Sequence, residues 1–106
     1  MVKRGDIWLV NLDPTIGSEI KKSRPCIIIS PPEMHDHLKT VIVAPMTTGS
    51  RPAPFRIPVS HAGKEGLILL DQIRTVDKLR LASHFGKVPP RTVRVVLETL
   101  QEMFSP

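Results

Sequence analysis

In the stretch KKSRPCIII, three cations, Lys21, Lys22 and Arg24, stand over four positions directly before an unbroken apolar run. Arg24 abuts Pro25, and a residue before proline is driven into extended backbone, so its side chain leaves in a direction set by the strand that follows. A guanidinium fixed at a strand mouth suggests anion binding, because its planar fork can engage two oxygens of one oxyanion. Lys21 and Lys22 fit a simpler task, guarding the end of a buried strand against edge pairing. A second set of polar groups lies in PMTTGS, where Thr47 follows a strand and opens a Gly-Ser turn. Its hydroxyl can donate to an oxyanion or cap the turn, and Thr48 or Ser50 could do the capping equally well. Glu19, in GSEIKKSRP, is a carboxylate five residues before Arg24 that could act as a base, hold Arg24 in place, or belong to a solvated loop.

Other reactive side chains point elsewhere. Cys26 is the one cysteine, so no internal disulfide is possible, and its place between Pro25 and Ile27 predicts a buried structural thiol rather than a nucleophile. His35 and His37 flank Asp36 in EMHDH, a pattern that can bind metal, but no third ligand stands at a matching spacing, and no metal is expected. All four histidines are expected at the surface.

These groups need a scaffold of short elements. GDIWLVNL (5–12), RPCIIIS (24–30), KTVIVAPM (39–46), PFRIPV (54–59) and GLILLDQIRTV (66–76) are rich in β-branched residues and separated by turn chemistry, predicting five or six strands of a small barrel or sandwich. Pro58 implies an edge position or a bulge in the fourth run. Ser30 followed by Pro31 and Pro32 predicts a short helix through EMHDHL. From Pro90 to Phe104, Val93, Val96, Leu97, Leu100, Met103 and Phe104 recur at spacings of three and four, predicting an amphipathic C-terminal helix packed on the sheet. ASHFGKV (82–88) is ambiguous between a last strand and a loop. Trp8 is expected in the core.

With 106 residues the chain is expected to form one domain, 1–106. A net charge of +5 raises the prospect of a polyanionic partner. No segment is apolar enough to cross a membrane, and the early Asp6 does not suit a signal peptide, so a cytoplasmic location is expected.

Four motifs taken in order, KRGDIWLVNLDPTIGSE, RPCIIIS, VAPMTTGSRPAPF and GLILLDQIRTVDK, closely resemble the MazF/PemK family of toxin endoribonucleases over nearly the whole chain. The resemblance implies an SH3-like small β-barrel with a C-terminal helix, a homodimer, metal-independent and cofactor-free cleavage of single-stranded RNA, and neutralisation by an antitoxin. Arg24 matches the family's Arg-Pro arginine and Thr47 its catalytic threonine, while Glu19 falls in its Gly-Ser-Glu segment bordering the active site. Asp71 aligns with an acid or base of some PemK-type members, which carry an arginine where this chain has Leu69, so a structural role near the strand end is favoured. Arg51 and Arg56 would track the RNA backbone, Lys21 and Lys22 would close over the strand from the opposite side, Thr48 stands in reserve for Thr47, and Phe55 or Pro54 would contact a base. Relatives with the same small barrel that poison DNA gyrase, or a non-catalytic RNA-binding module, are the alternatives. The chain's MFSP ending and its retention of both Arg24 and Thr47 speak against the gyrase reading.

Overall fold

The computed structural model describes residues 2–106. Seven strands form: β1 (Asp6–Asn11), β2 (Ser23–Ile28), β3 (Thr40–Thr47), β4 (Arg56–His61), β5 (Lys64–Leu69), β6 (Arg74–Asp77) and β7 (Leu81–Lys87). Helix α1 (Pro32–His35) lies between β2 and β3, and α2 (Pro90–Met103) closes the chain. The fifth predicted run divides, because a short helical turn at Leu70–Gln72 separates β5 from β6. The ambiguous ASHFGKV segment is the seventh strand. No helix among the described residues is long and apolar enough to cross a membrane.

All pairings are antiparallel, in the order β4-β5-β3-β2-β1-β7, with β6 alongside β3. The sheet curls into a half-barrel with α2 against it, the mainly β architecture expected from the sequence. Strand β3 is its spine. Thr40–Val43 pair with β6, Val43–Pro45 with β2, and Met46–Thr47 with β5. Pro58 sits on the edge strand β4, as its missing N–H demands.

The unbroken apolar runs arise because both faces of the sheet are covered. Along β2 and β3, Ile27, Ile29, Ala44 and Met46 pack into one cluster with Val96 of α2, while Cys26, Ile28, Val41 and Val43 alternate into a second with Val10, Leu12 and Val76. Val93, Leu97 and Leu100 add the helix's apolar stripe to the first cluster. Trp8, expected in the core, is only partly buried at the margin of the second and stacks on His84 with ring centroids 5.2 Å apart.

His35 departs from its expected surface position. It is fully buried, with Nδ1 3.0 Å from Ser30 Oγ and Nε2 3.0 Å from the Val2 carbonyl. Ser30 Oγ also accepts from the Ile42 N–H. A carbonyl can only accept, so Nε2 carries a proton, and in the neutral ring Nδ1 accepts from the serine hydroxyl. The polar run EMHDH gives no sign of this, because a four-residue helix turns one histidine inward while leaving His37 in water.

Candidate active site

The β2–β3 register runs Cys26↔Pro45, Ile27↔Ala44, Ile28↔Val43. Continued by two residues, it sets Arg24 opposite Thr47 where the paired segment ends, with both side chains on one face. The two are brought together in an open cleft of about 330 Å³ at the mouth of the curl, lined also by Pro25, Thr48, His61, Lys64 and Phe85. Arg24 Nε donates to the Lys21 carbonyl at 3.2 Å, which aims the guanidinium, and among the described residues its terminal nitrogens have no protein partner. No carboxylate among the described residues pairs with it. Thr47 Oγ1 accepts from the Gly49 N–H at 3.2 Å. The hydroxyl thus caps its turn and still has its O–H free to donate, which joins the two tasks weighed for it.

Gly66 on β5 sets how closely the strands approach here. A Cβ on Gly66 would come 2.6 Å from the Thr47 carbonyl oxygen, a backbone clash that only strand separation can relieve. Gly66→Ala is therefore expected to force β5 away from β3 at Thr47 and to cost about 1–3 kcal/mol, the scale of an overpacked site. A thermal melt checks this, and a melting temperature unchanged from wild type would show that the strands absorb the added methyl.

Several expected site residues lie elsewhere. Glu19 belongs to a separate hollow with Asp71, Gln72 and Arg74, and its carboxylate accepts from the Ile16 N–H at 2.6 Å. It does not hold Arg24. Lys21 and Lys22 are exposed on the loop before β2, outside the cleft lining. Arg56 is committed to Asp71 through two hydrogen bonds of 3.1 and 3.0 Å, and also donates to the Arg51 carbonyl. That hydrogen-bonded guanidinium holds the Asp71 carboxyl below the usual carboxylate range, the structural task expected of Asp71. Phe55 lines a different hollow with Pro54, Thr99 and Met103.

Sequence reading missed His61, Lys64, Gly66 and Phe85. The first three meet through the β4–β5 hairpin, a two-residue turn in which Ala62 (φ 53°) and Gly63 (φ 75°) are both left-handed and His61 pairs with Lys64. Ala-Gly is a weak version of the usual Asn-Gly signal for such turns, and so the hairpin was not read. Phe85 reaches the cleft through a bulge. The β1–β7 register steps from Ile7↔Gly86 to Trp8↔His84, leaving Phe85 unpaired and re-aimed. Cys26 is buried as expected, and burial pushes its thiol up to about 12, with Arg74 opposing the shift.

The cleft at the mouth of the half-barrel thus gathers an arginine, a threonine hydroxyl and a lysine, with the Glu65 carboxylate among its lining residues. The chain belongs to the family of PemK-like, MazF-like toxins of type II toxin-antitoxin systems, whose pattern matches residues 3–104. It is 34% identical over 110 residues to Endoribonuclease PemK of Escherichia coli, covering 98% of this chain and 83% of that protein. Its fold is similar to that of MazF from Deinococcus radiodurans, with a TM-score of 0.84 at 24% identity over 96% of this chain and 94% of that one. An endoribonuclease from a mycobacterial species, solved in complex with its cognate antitoxin, matches with a TM-score of 0.80 at 22% identity over 96% and 93% of the two chains.

Proposed function

We propose that this protein is a toxin endoribonuclease that cuts single-stranded RNA without a metal ion, using the ribose 2′-hydroxyl as nucleophile. The observation that carries the reading is the meeting of Arg24 and Thr47 in one cleft of a chain from this family. RNA supplies its own attacking group, so the enzyme must orient the scissile phosphodiester, offset the charge that builds on its non-bridging oxygens and help the 5′-oxygen depart. Arg24 presents two free N–H edges to those oxygens and Thr47 adds a hydroxyl donor. Lys64 contributes further positive charge at the rim, and Phe85, 45% exposed, offers a ring on which a flanking base can stack. Attack by O2′ on phosphorus releases a 5′-hydroxyl and leaves a 2′,3′-cyclic phosphate, so DNA of the same sequence is inert.

The protein works in the cytoplasm, where its RNA lies, as a two-fold dimer with RNA running along the groove between the barrels, restrained by an antitoxin. The net charge of +5 suits an acidic antitoxin segment that folds along the RNA path. Incubating the purified protein with long single-stranded RNA in EDTA, then mapping the ends, tests the reaction. Cleavage at a recurring short sequence with cyclic-phosphate ends is expected. RNA binding without cleavage would make this a binding module.

A further inference from the structure

Departure of the 5′-oxygen as a bare alkoxide is slow, and neither a guanidinium nor an aliphatic hydroxyl readily surrenders a proton to it. An imidazole is the side chain suited to losing and regaining a proton near neutrality. The four histidines of this chain divide sharply. His35 spends both ring nitrogens inside the core, His37 stands in water beyond α1, and His84 stacks on Trp8 with Nε2 3.6 Å from Asp6 Oδ1. Only His61 lines the cleft with Arg24 and Thr47.

Its placement follows from the strand. Along β4, Ile57 and Val59 point into the first core cluster, while Pro58 and Ser60 face solvent. His61 is the next inward position, so the alternation that buries Val59 carries the imidazole just past the end of the core to the cleft. The ring lies beside Gly86 of β7, where a Cβ would stand 3.5 Å from His61 Cε1, at ordinary contact distance. Among the described residues, no protein atom hydrogen-bonds to either ring nitrogen, so both are available to a ligand.

We infer that His61 is the general acid of the reaction, protonating the 5′-oxygen as it leaves; this rests on the endoribonuclease reading above. O2′ forms its bond to phosphorus and gives its proton to a water in the open cleft. The P–O5′ bond breaks with its electron pair going to O5′, which takes a proton from the His61 imidazolium. The neutral imidazole is then reprotonated from solvent.

A general acid loses its importance when the leaving group needs no proton. The test uses full-length protein, an RNA carrying one mapped cleavage site, and the same RNA with sulfur replacing the bridging 5′-oxygen at that site. On the oxygen substrate, His61→Asn is expected to slow single-turnover cleavage about a hundredfold, within the range for lost proton transfer. On the sulfur substrate, whose thiolate leaves unaided, it is expected to cleave within a few-fold of wild type. Arg24→Ala should stay slow on both, because its task precedes departure. Equal losses for His61→Asn on the two substrates, or a near-normal rate on the oxygen substrate, would overturn the acid assignment and leave the endoribonuclease reading standing. Wild type that cleaved neither RNA would overturn both.

Discussion

Replacing Arg24 by alanine is expected to slow single-turnover RNA cleavage roughly a hundredfold to a thousandfold, the scale on which one preorganised donor to a developing oxyanion acts. The expectation follows from where the side chain is held. Pro25 fixes the backbone before it, the Lys21 carbonyl takes its Nε–H, and its remaining N–H groups have no protein partner among the described residues. Such a group contributes little to folding, so the melting temperature should barely move. Arg24→Lys should recover only part of the rate, because an ammonium restores the charge without the paired donors. Lys22→Ala, outside the cleft lining, should weaken RNA binding and flatten its salt dependence while sparing turnover at saturating RNA. If Arg24→Ala cleaved within a few-fold of wild type, or lost activity only by unfolding, the residue would be a guard of the strand end.

His35→Ala is expected to act on folding. It removes a buried ring that ties Ser30 to Val2, and leaves the Val2 carbonyl without its donor, the Ser30 hydroxyl without its acceptor and a void between α1 and the sheet. Lost hydrogen bonds and cavity together should cost about 3 kcal/mol or more. For a domain of this size that lowers the melting temperature by roughly 10 °C or more. His35→Gln, which keeps a donor and an acceptor on a side chain of similar reach, should lose less. A melt of His35→Ala within two or three degrees of wild type would show that water replaces the ring without penalty. The two variants separate cleanly, since Arg24 acts on rate with stability intact and His35 on stability away from the cleft.

The contrast between these residues also shows what the sequence makes legible. The strands of the central sheet could be read because their apolar runs are long and bounded by proline, glycine and charge. The family motifs then located Arg24 and Thr47, which the structure brings into one cleft. Arg56 and Phe55 were placed by proximity along the chain, which does not report that Asp71 captures the guanidinium or that the ring faces α2. His61 was open to discovery, since the alternation through Ile57 and Val59 continues to it, but only once the β4–β5 turn is known to fold the strand back toward Thr47. Phe85 was not, because a bulge reverses the parity by which a strand is read. His35 looked solvated because its partners, Ser30 and Val2, are set by tertiary packing that local polarity does not report.

The lone thiol carries a consequence of another kind. Cys26 sits in the middle of the sheet, paired across to Trp8 on one side and Pro45 on the other, fully buried and with its ionisation pushed up to about 12. Thiolate is the form that oxidants and alkylating reagents attack, and the native molecule presents almost none of it. In the folded protein Cys26 is therefore chemically silent toward oxidants and forms no disulfide with a second copy. Its thiol becomes reactive only when β1, β2 and β3 part. The rate at which it is labelled is then a clock for the opening of the whole molecule, ticking independently of whether any RNA is cut.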